Sequence, residues 1–138
     1  MKHKILLLSA NYYKDISREL CVDAYKTLKD HGNAEYDEMT VIPGVFEIPV
    51  LISRNIEKYD GFVALGCVIK GETPHFDFIS QATTNAIMNL SITHKKPIGN
   101  GILTCLNYDQ AKSRAATDGK KRKGREATQA VLQVLDAK

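Results

Sequence analysis

The segment GFVALGCVIKGETPHFDFISQATTNAIMNLSITH, residues 61–94, decides the fold. Its apolar opening has the length and composition of a buried parallel strand over residues 61–67. Further on, Phe76, Ile79, Ala82, Thr83, Ala86, Ile87 and Leu90 recur at helical spacing and predict the buried stripe of a helix over 76–94. Between the two lies GCVIKGETPHFD, residues 66–77, a strand-to-helix crossing. In an open α/β sheet such a crossing sits at the carboxyl end of a strand, where ligands collect, and the first helical turn offers free backbone N–H groups to an anion. Thr73 reads as the N-cap and Pro74 as the first helical residue, which puts His75 in that first turn. A titratable side chain is thereby expected where a phosphate would bind.

Outward from this centre the chain alternates strands and helices. Toward the N-terminus, a strand over 4–9 is followed by a helix over 15–31 with Ile16, Leu20, Ala24 and Leu28 on one stripe and Gly32 to end it. Residues 35–42 alternate enough to read as a strand near a sheet edge, and Pro43-Gly44 breaks it. A helix from Phe46 or Glu47 to Lys58 leads back to the central strand. Toward the C-terminus come a strand over 98–104, a helix over 109–116, a basic turn over 119–125, and a last helix. Ala127, Ala130, Val131, Val134 and Leu135 are its expected buried stripe. Four strands separated by helices imply right-handed crossovers and a parallel sheet between two helical layers, an α/β fold.

Composition narrows the function classes. The 138 residues, 43% of them hydrophobic, suit one domain with a real core. A net charge of +3 favours a small anionic ligand without calling for nucleic acid. Cys21, Cys67 and Cys105 are odd in number and contain no C-x-x-C pair, so neither a disulfide framework nor a zinc site is expected, and a reducing cytoplasm fits. The basic, apolar opening resembles a signal peptide but is too short and lacks a cleavage site. No run approaches the roughly 20 apolar residues of a membrane span.

Each candidate residue carries a functional and a plain reading. His75 is either a general acid/base or a first-turn polar residue, whereas His3, His31 and His94 lie at a terminus or at helix ends. Gly71 permits close backbone approach to a ligand, but a plain loop explains it equally. Glu47 is either a ligand-binding carboxylate or a helix-start acid. Tyr12 and Tyr13 can stack on a planar ligand or cap the core. Arg114 can clamp a phosphate bidentately or be solvated. Residues 120–123 form a basic run, KKRK, that is either a solvated turn or an anion or nucleic-acid contact, the latter weakened by the lack of interleaved aromatics.

The segments VIPGVFEIP (41–49), GCVIKGETPHFD (66–77), PIGNGILT (97–104) followed by QAKSRA (110–115), and KGREA (123–127) together resemble lumazine synthases, which make 6,7-dimethyl-8-ribityllumazine, the immediate precursor of riboflavin. The resemblance covers almost the whole chain, in the family's order and spacing. It implies a single domain of three-layer α/β/α, flavodoxin-like fold with a four-stranded parallel sheet of strand order 2-1-3-4. It also implies a cytoplasmic homopentamer with active sites shared between neighbours, and no metal or cofactor. Riboflavin synthase is a candidate partner, while nucleic acid and membrane are not. The implied substrates are 5-amino-6-(D-ribitylamino)uracil and 3,4-dihydroxy-2-butanone 4-phosphate. By the same resemblance Tyr12 stacks on the pyrimidine, Val45, Phe46 and Glu47 hold the ribityl chain, and Val68 and Ile69 read the ring edge. Gly71, Glu72 and Thr73 bind the phosphate through backbone, Arg114 reaches that phosphate from a neighbouring subunit, and His75 is the catalytic histidine. Asn100 stands where many members carry a phenylalanine near the pyrimidine. Lys123 stands nearest to a lysine that relatives carry in the basic turn, which is about one residue longer here, judged by family spacing. The first strand begins almost at Met1, leaving no residues for the extra N-terminal strand of sixty-subunit relatives, so a free pentamer is expected. A flavin- or nucleotide-binding module without catalysis and a nucleic-acid-associated protein are the alternatives from other classes.

Overall fold

The computed structural model describes residues 2–137. Four strands, β1 (His3–Ala10), β2 (Ala34–Val41), β3 (Gly61–Ile69) and β4 (Ile98–Cys105), form one parallel sheet in the order β2-β1-β3-β4. Five helices join and follow them: α1 (Lys14–His31), α2 (Ile48–Asn55), α3 (His75–His94), α4 (Tyr108–Ala115) and α5 (Lys123–Asp136). The expected strand order and three-layer, flavodoxin-like arrangement are therefore present. Side chains alternate across the pleat and create two cores. Ile5, Leu7, Val63, Leu65, Cys67, Leu103 and Cys105 face α1, α4 and α5. Leu6, Leu8, Ala10, Phe62, Ala64 and Ile102 face α2, α3 and the 3-10 turn Val45–Glu47.

Helix faces depart from the sequence reading more than the strands do. In α1 the predicted Ile16, Leu20, Ala24 and Leu28 are buried, and left-handed Gly32 ends the helix with its N–H on the Leu28 carbonyl. In α3 only Thr83 and Ile87 are fully buried; Phe76, Ile79, Ala86 and Leu90 are half-buried and Ala82 is exposed. The reason is that α3 is apolar around much of its circumference, with Phe78, Met88 and Ile92 turned outward, so spacing does not single out one face. In α5 Ala130 and Val134 are exposed, and Gly124, Thr128 and Leu132 are buried beside Ala127 and Val131. Two stripes of equal period share Ala127, Val131 and Leu135, and the one containing a glycine and a threonine is the one that packs. Gly124 sets this choice, because a Cβ there would lie 2.3 Å from the Leu20 carbonyl oxygen of α1.

Boundaries shift for identifiable reasons. The first α3 hydrogen bonds, from Asp77 and Phe78 N–H, go to the Pro74 carbonyl, which makes Pro74 rather than Thr73 the N-cap and His75 the first helical residue. The helix expected to reach Lys58 ends at Asn55 and passes into turns closed by Ile56 and Lys58 N–H, with Lys96 Nζ donating to the Ile56 carbonyl at 2.6 Å. The basic turn is shorter than expected, since Lys123–Arg125 already belongs to α5. Within it, Arg122 donates to Asp23 at 2.8 Å through Nη2, and Asp23 is 1% exposed; Lys123 pairs with Glu126 at 3.3 Å. Half of the KKRK run is thus matched by carboxylates of its own chain.

Candidate active site

The sheet switches direction of travel between β1 and β3, and at the carboxyl ends of these two strands lies a cavity of about 480 Å³. β1 brings Ala10 to it and the connection to α1 brings Tyr12 and Tyr13, the loop and 3-10 turn after β2 bring Pro43, Gly44, Val45, Phe46 and Glu47, and β3 brings Cys67, Val68 and Ile69. α3 closes the ring with His75 and Ile79. Seven predicted residues, Tyr12, Val45, Phe46, Glu47, Val68, Ile69 and His75, therefore meet in one place, although their segments are dispersed over more than sixty positions of chain.

Local packing explains how each is presented. Gly66 lacks a Cβ that would sit 2.6 Å from Val45 Cγ1, so the 3-10 turn can settle directly on β3, with Val45 buried as part of the cavity wall. Glu47 is half-buried, and one carboxylate oxygen accepts the Gly44 N–H at 3.1 Å. That bond fixes the side chain at the head of the turn, while its other oxygen makes no protein hydrogen bond among the described residues. Tyr12 is 74% exposed, a free ring face at the mouth. Tyr13 supports it edge-on with ring centroids 4.9 Å apart, and Tyr108 at the start of α4 lies behind at 6.4 Å. His75 is exposed at the first turn of α3, and its N–H reaches Thr73 Oγ1 at 3.4 Å.

Burial shapes the chemistry of the cavity wall. The Cys67 thiol is pushed up to about 12, first by burial and then by the neighbouring Cys105, so it stays a neutral thiol at physiological pH. Burial likewise raises the Tyr13 phenol, with smaller contributions from Cys67 and Tyr12. Both groups are weakly polar lining rather than bases.

The remaining predicted residues do not line this cavity. Gly71, Glu72 and Thr73 are exposed on the 70–74 loop at its rim, immediately before His75. Asn100 lies on β4 opposite Ala64, whereas the cavity begins opposite Cys67, three residues or about 10 Å further along the strand. Its Oδ1 accepts the Ile102 N–H at 3.1 Å. Lys123 sits at the start of α5. Arg114 lies on α4, which packs on the opposite face of the sheet from α3, so within one chain it is separated from His75 by the sheet. Conversely, Cys67 and Ile79 line the cavity although nothing in the sequence places them there, and Tyr13, a stacking candidate beside Tyr12, lines it as well. In the sequence, Cys67 is marked only by its place at the end of the apolar run that forms β3.

A sequence model of the family described as 6,7-dimethyl-8-ribityllumazine synthase matches residues 2–138. The chain belongs to that family. It is similar to the 6,7-dimethyl-8-ribityllumazine synthase of Agrobacterium fabrum, 41% identical over 144 residues that cover 99% of this chain and 95% of that one. The protein of the same name from Bartonella henselae is 44% identical over 141 residues, covering 99% and 89%. That of Bartonella bacilliformis is 43% identical over 139 residues, covering 97% and 89%. Among the described residues no helix is long and apolar enough to cross a membrane.

Proposed function

We propose that this chain, as one domain, condenses 5-amino-6-(D-ribitylamino)uracil with 3,4-dihydroxy-2-butanone 4-phosphate in the cavity between β1 and β3, releasing 6,7-dimethyl-8-ribityllumazine, phosphate and water. Support comes from one observation above all: four separate segments converge to give an exposed ring, a partly free carboxylate, the backbone at the end of β3 and a histidine around a single space. Tyr12 stacks on the pyrimidine, Glu47 takes ribityl hydroxyls beside Val45 and Phe46, and Val68 and Ile69 read the ring edge through their backbone. Gly71, Glu72 and Thr73 give backbone N–H groups to the phosphate at the rim. His75 lies between the two halves and moves protons while the amine and ketone form an imine, phosphate is eliminated and the ring closes with loss of water. A well-placed acid/base group of this kind contributes on the order of 10²- to 10⁴-fold.

Arg114 completes the phosphate site from a second copy of the chain, since the sheet separates it from its own His75. This makes the working unit a homo-oligomer, for which the family resemblance supplies the pentamer; the cytoplasm as its location and riboflavin synthase as a partner belong to the same reading. Asn100 and Lys123, absent from the lining of their own chain's cavity, act at a neighbour's in the same reading.

The test is a fluorescence assay for the lumazine with both substrates, on His75→Ala, on Arg114→Ala and on the two variants dissociated and reassembled together. Each alone should lose most activity, and the mixture should regain part of it, because some interfaces then carry both intact residues. Mixed assemblies that form yet stay inactive would refute the shared site; a fully active His75→Ala protein would remove the histidine from the chemistry.

A further inference from the structure

Arg114 is held by an unusual set of partners for a residue meant to meet a phosphate. Its Nη1 donates to Gln110 Oε1 and to Cys105 Sγ, both at 3.4 Å, and among the described residues no carboxylate pairs with it. Gln110 stands one helical turn earlier, at the i, i+4 spacing that brings side chains together. The same Oε1 also accepts the Leu106 N–H at 2.9 Å, and the Gln110 N–H is capped by Asn107 Oδ1 at 2.9 Å. The amide is therefore tied to the loop that leaves β4 and cannot swing away without releasing a backbone donor. Ala111 and Ala115, fully buried, fix the helix beneath it.

From this we infer that Gln110 is a positioning residue, whose neutral oxygen anchors one nitrogen of the Arg114 guanidinium and leaves its charge and remaining N–H groups free for the substrate phosphate. A glutamate would fit the same space and accept the same two bonds, but its charge would engage the fork that the phosphate needs. An apolar residue would leave the charge available and the fork loose, so the arginine would lose rotamer order on binding. A neutral acceptor satisfies both demands. The inference rests on the reading of Arg114 as the phosphate clamp.

Steady-state kinetics on both substrates, with assembled mass and Tm measured on the same samples, test it. Gln110→Ala should raise KM for the butanone phosphate about tenfold, the loss expected when one charge-assisted hydrogen bond is misdirected, and leave KM for the pyrimidine within about twofold. Gln110→Glu should keep wild-type mass and Tm yet raise the phosphate-substrate KM further than Gln110→Ala does. If Gln110 only caps the loop, Gln110→Glu will behave as wild type, and the inference falls. Should Gln110→Ala fail to assemble, the glutamate variant still decides the matter. Arg114→Ala is the control for the underlying reading: an unchanged phosphate-substrate KM there overturns the clamp itself, whereas a raised one beside indifferent Gln110 variants overturns only the role of Gln110.

Discussion

Replacing Gly124 by alanine should destabilise the fold without touching the cavity. The added Cβ would lie 2.3 Å from the Leu20 carbonyl oxygen and 3.0 Å from its carbon, about 0.7 Å inside the 3.0 Å limit below which such contacts are not found. Both atoms are backbone in the middle of α1, so no side chain can turn aside; α5 must lift away from α1. Overpacking of this kind costs about 1–3 kcal/mol. Against it stands the gain from removing a glycine from a helix, at most about 1 kcal/mol and less in a first turn. The lift would also loosen Ala127, Val131 and Leu132 and stretch the Arg122 contact to buried Asp23. A net loss of about 2 kcal/mol, or roughly 6 °C in Tm for a chain of this length, is expected. Thermal melts followed by circular dichroism at one fixed protein concentration measure it. A Tm equal to or above wild type would show that the α1–α5 contact does not select the face of α5, and the account of its shifted stripe would be wrong.

Gly71→Ala is the complementary case: nothing lies within 4 Å of the added methyl, so Tm should hold, while KM for the butanone phosphate rises if that backbone approaches the phosphate; unchanged kinetics would return Gly71 to a plain loop. With its thiol pushed up to about 12, Cys67 should resist iodoacetamide at pH 8 in the folded protein, and rapid alkylation at Cys67 on a peptide map would contradict the burial argument. Asp136 accepts from His31 at 2.8 Å and from His3 at 3.0 Å, and these bonds, His31 first, hold its carboxyl below the usual range. A carboxyl lowered on folding stabilises above its unfolded value and loses that contribution as the pH falls through the folded one. Wild type should therefore be more stable than Asp136→Asn at pH 6, with the gap closing below about pH 4; a gap that widens with acid would reverse the sign.

The alternation of strands and helices and the crossing after β3 were legible from local cues, namely apolar runs of strand length, the break at Pro43-Gly44 and a helix start near Thr73-Pro74, whereas the strand order came from the family resemblance. The resemblance grouped Tyr12, Glu47, Val68 and His75, and the topology accounts for the grouping, since residues at the carboxyl ends of parallel strands are carried to one edge of the sheet. Helix faces were less legible, since Gly124 and Thr128 do not count as apolar yet supply close packing, and α3 offers apolar residues on more than one side. The Asp23–Arg122 pair spans 99 positions and breaks a basic run that composition reads as uniform. Arg114 and Asn100 were the least legible by geometry, because neither lines the cavity of its own chain.

Of the long helices, α3 is the least secured by its own sheet: two of its twenty residues are fully buried, against six of eighteen in α1 and five of fourteen in α5. Local opening free energy follows such anchoring, so α3 amides in a lone chain should exchange with solvent sooner than those of α1. His75 is the first residue of that helix. A surface laid over exposed Phe78, Met88 and Ile92 would thus also steady the imidazole, so anything that packs there tunes the histidine's aim without touching the sheet.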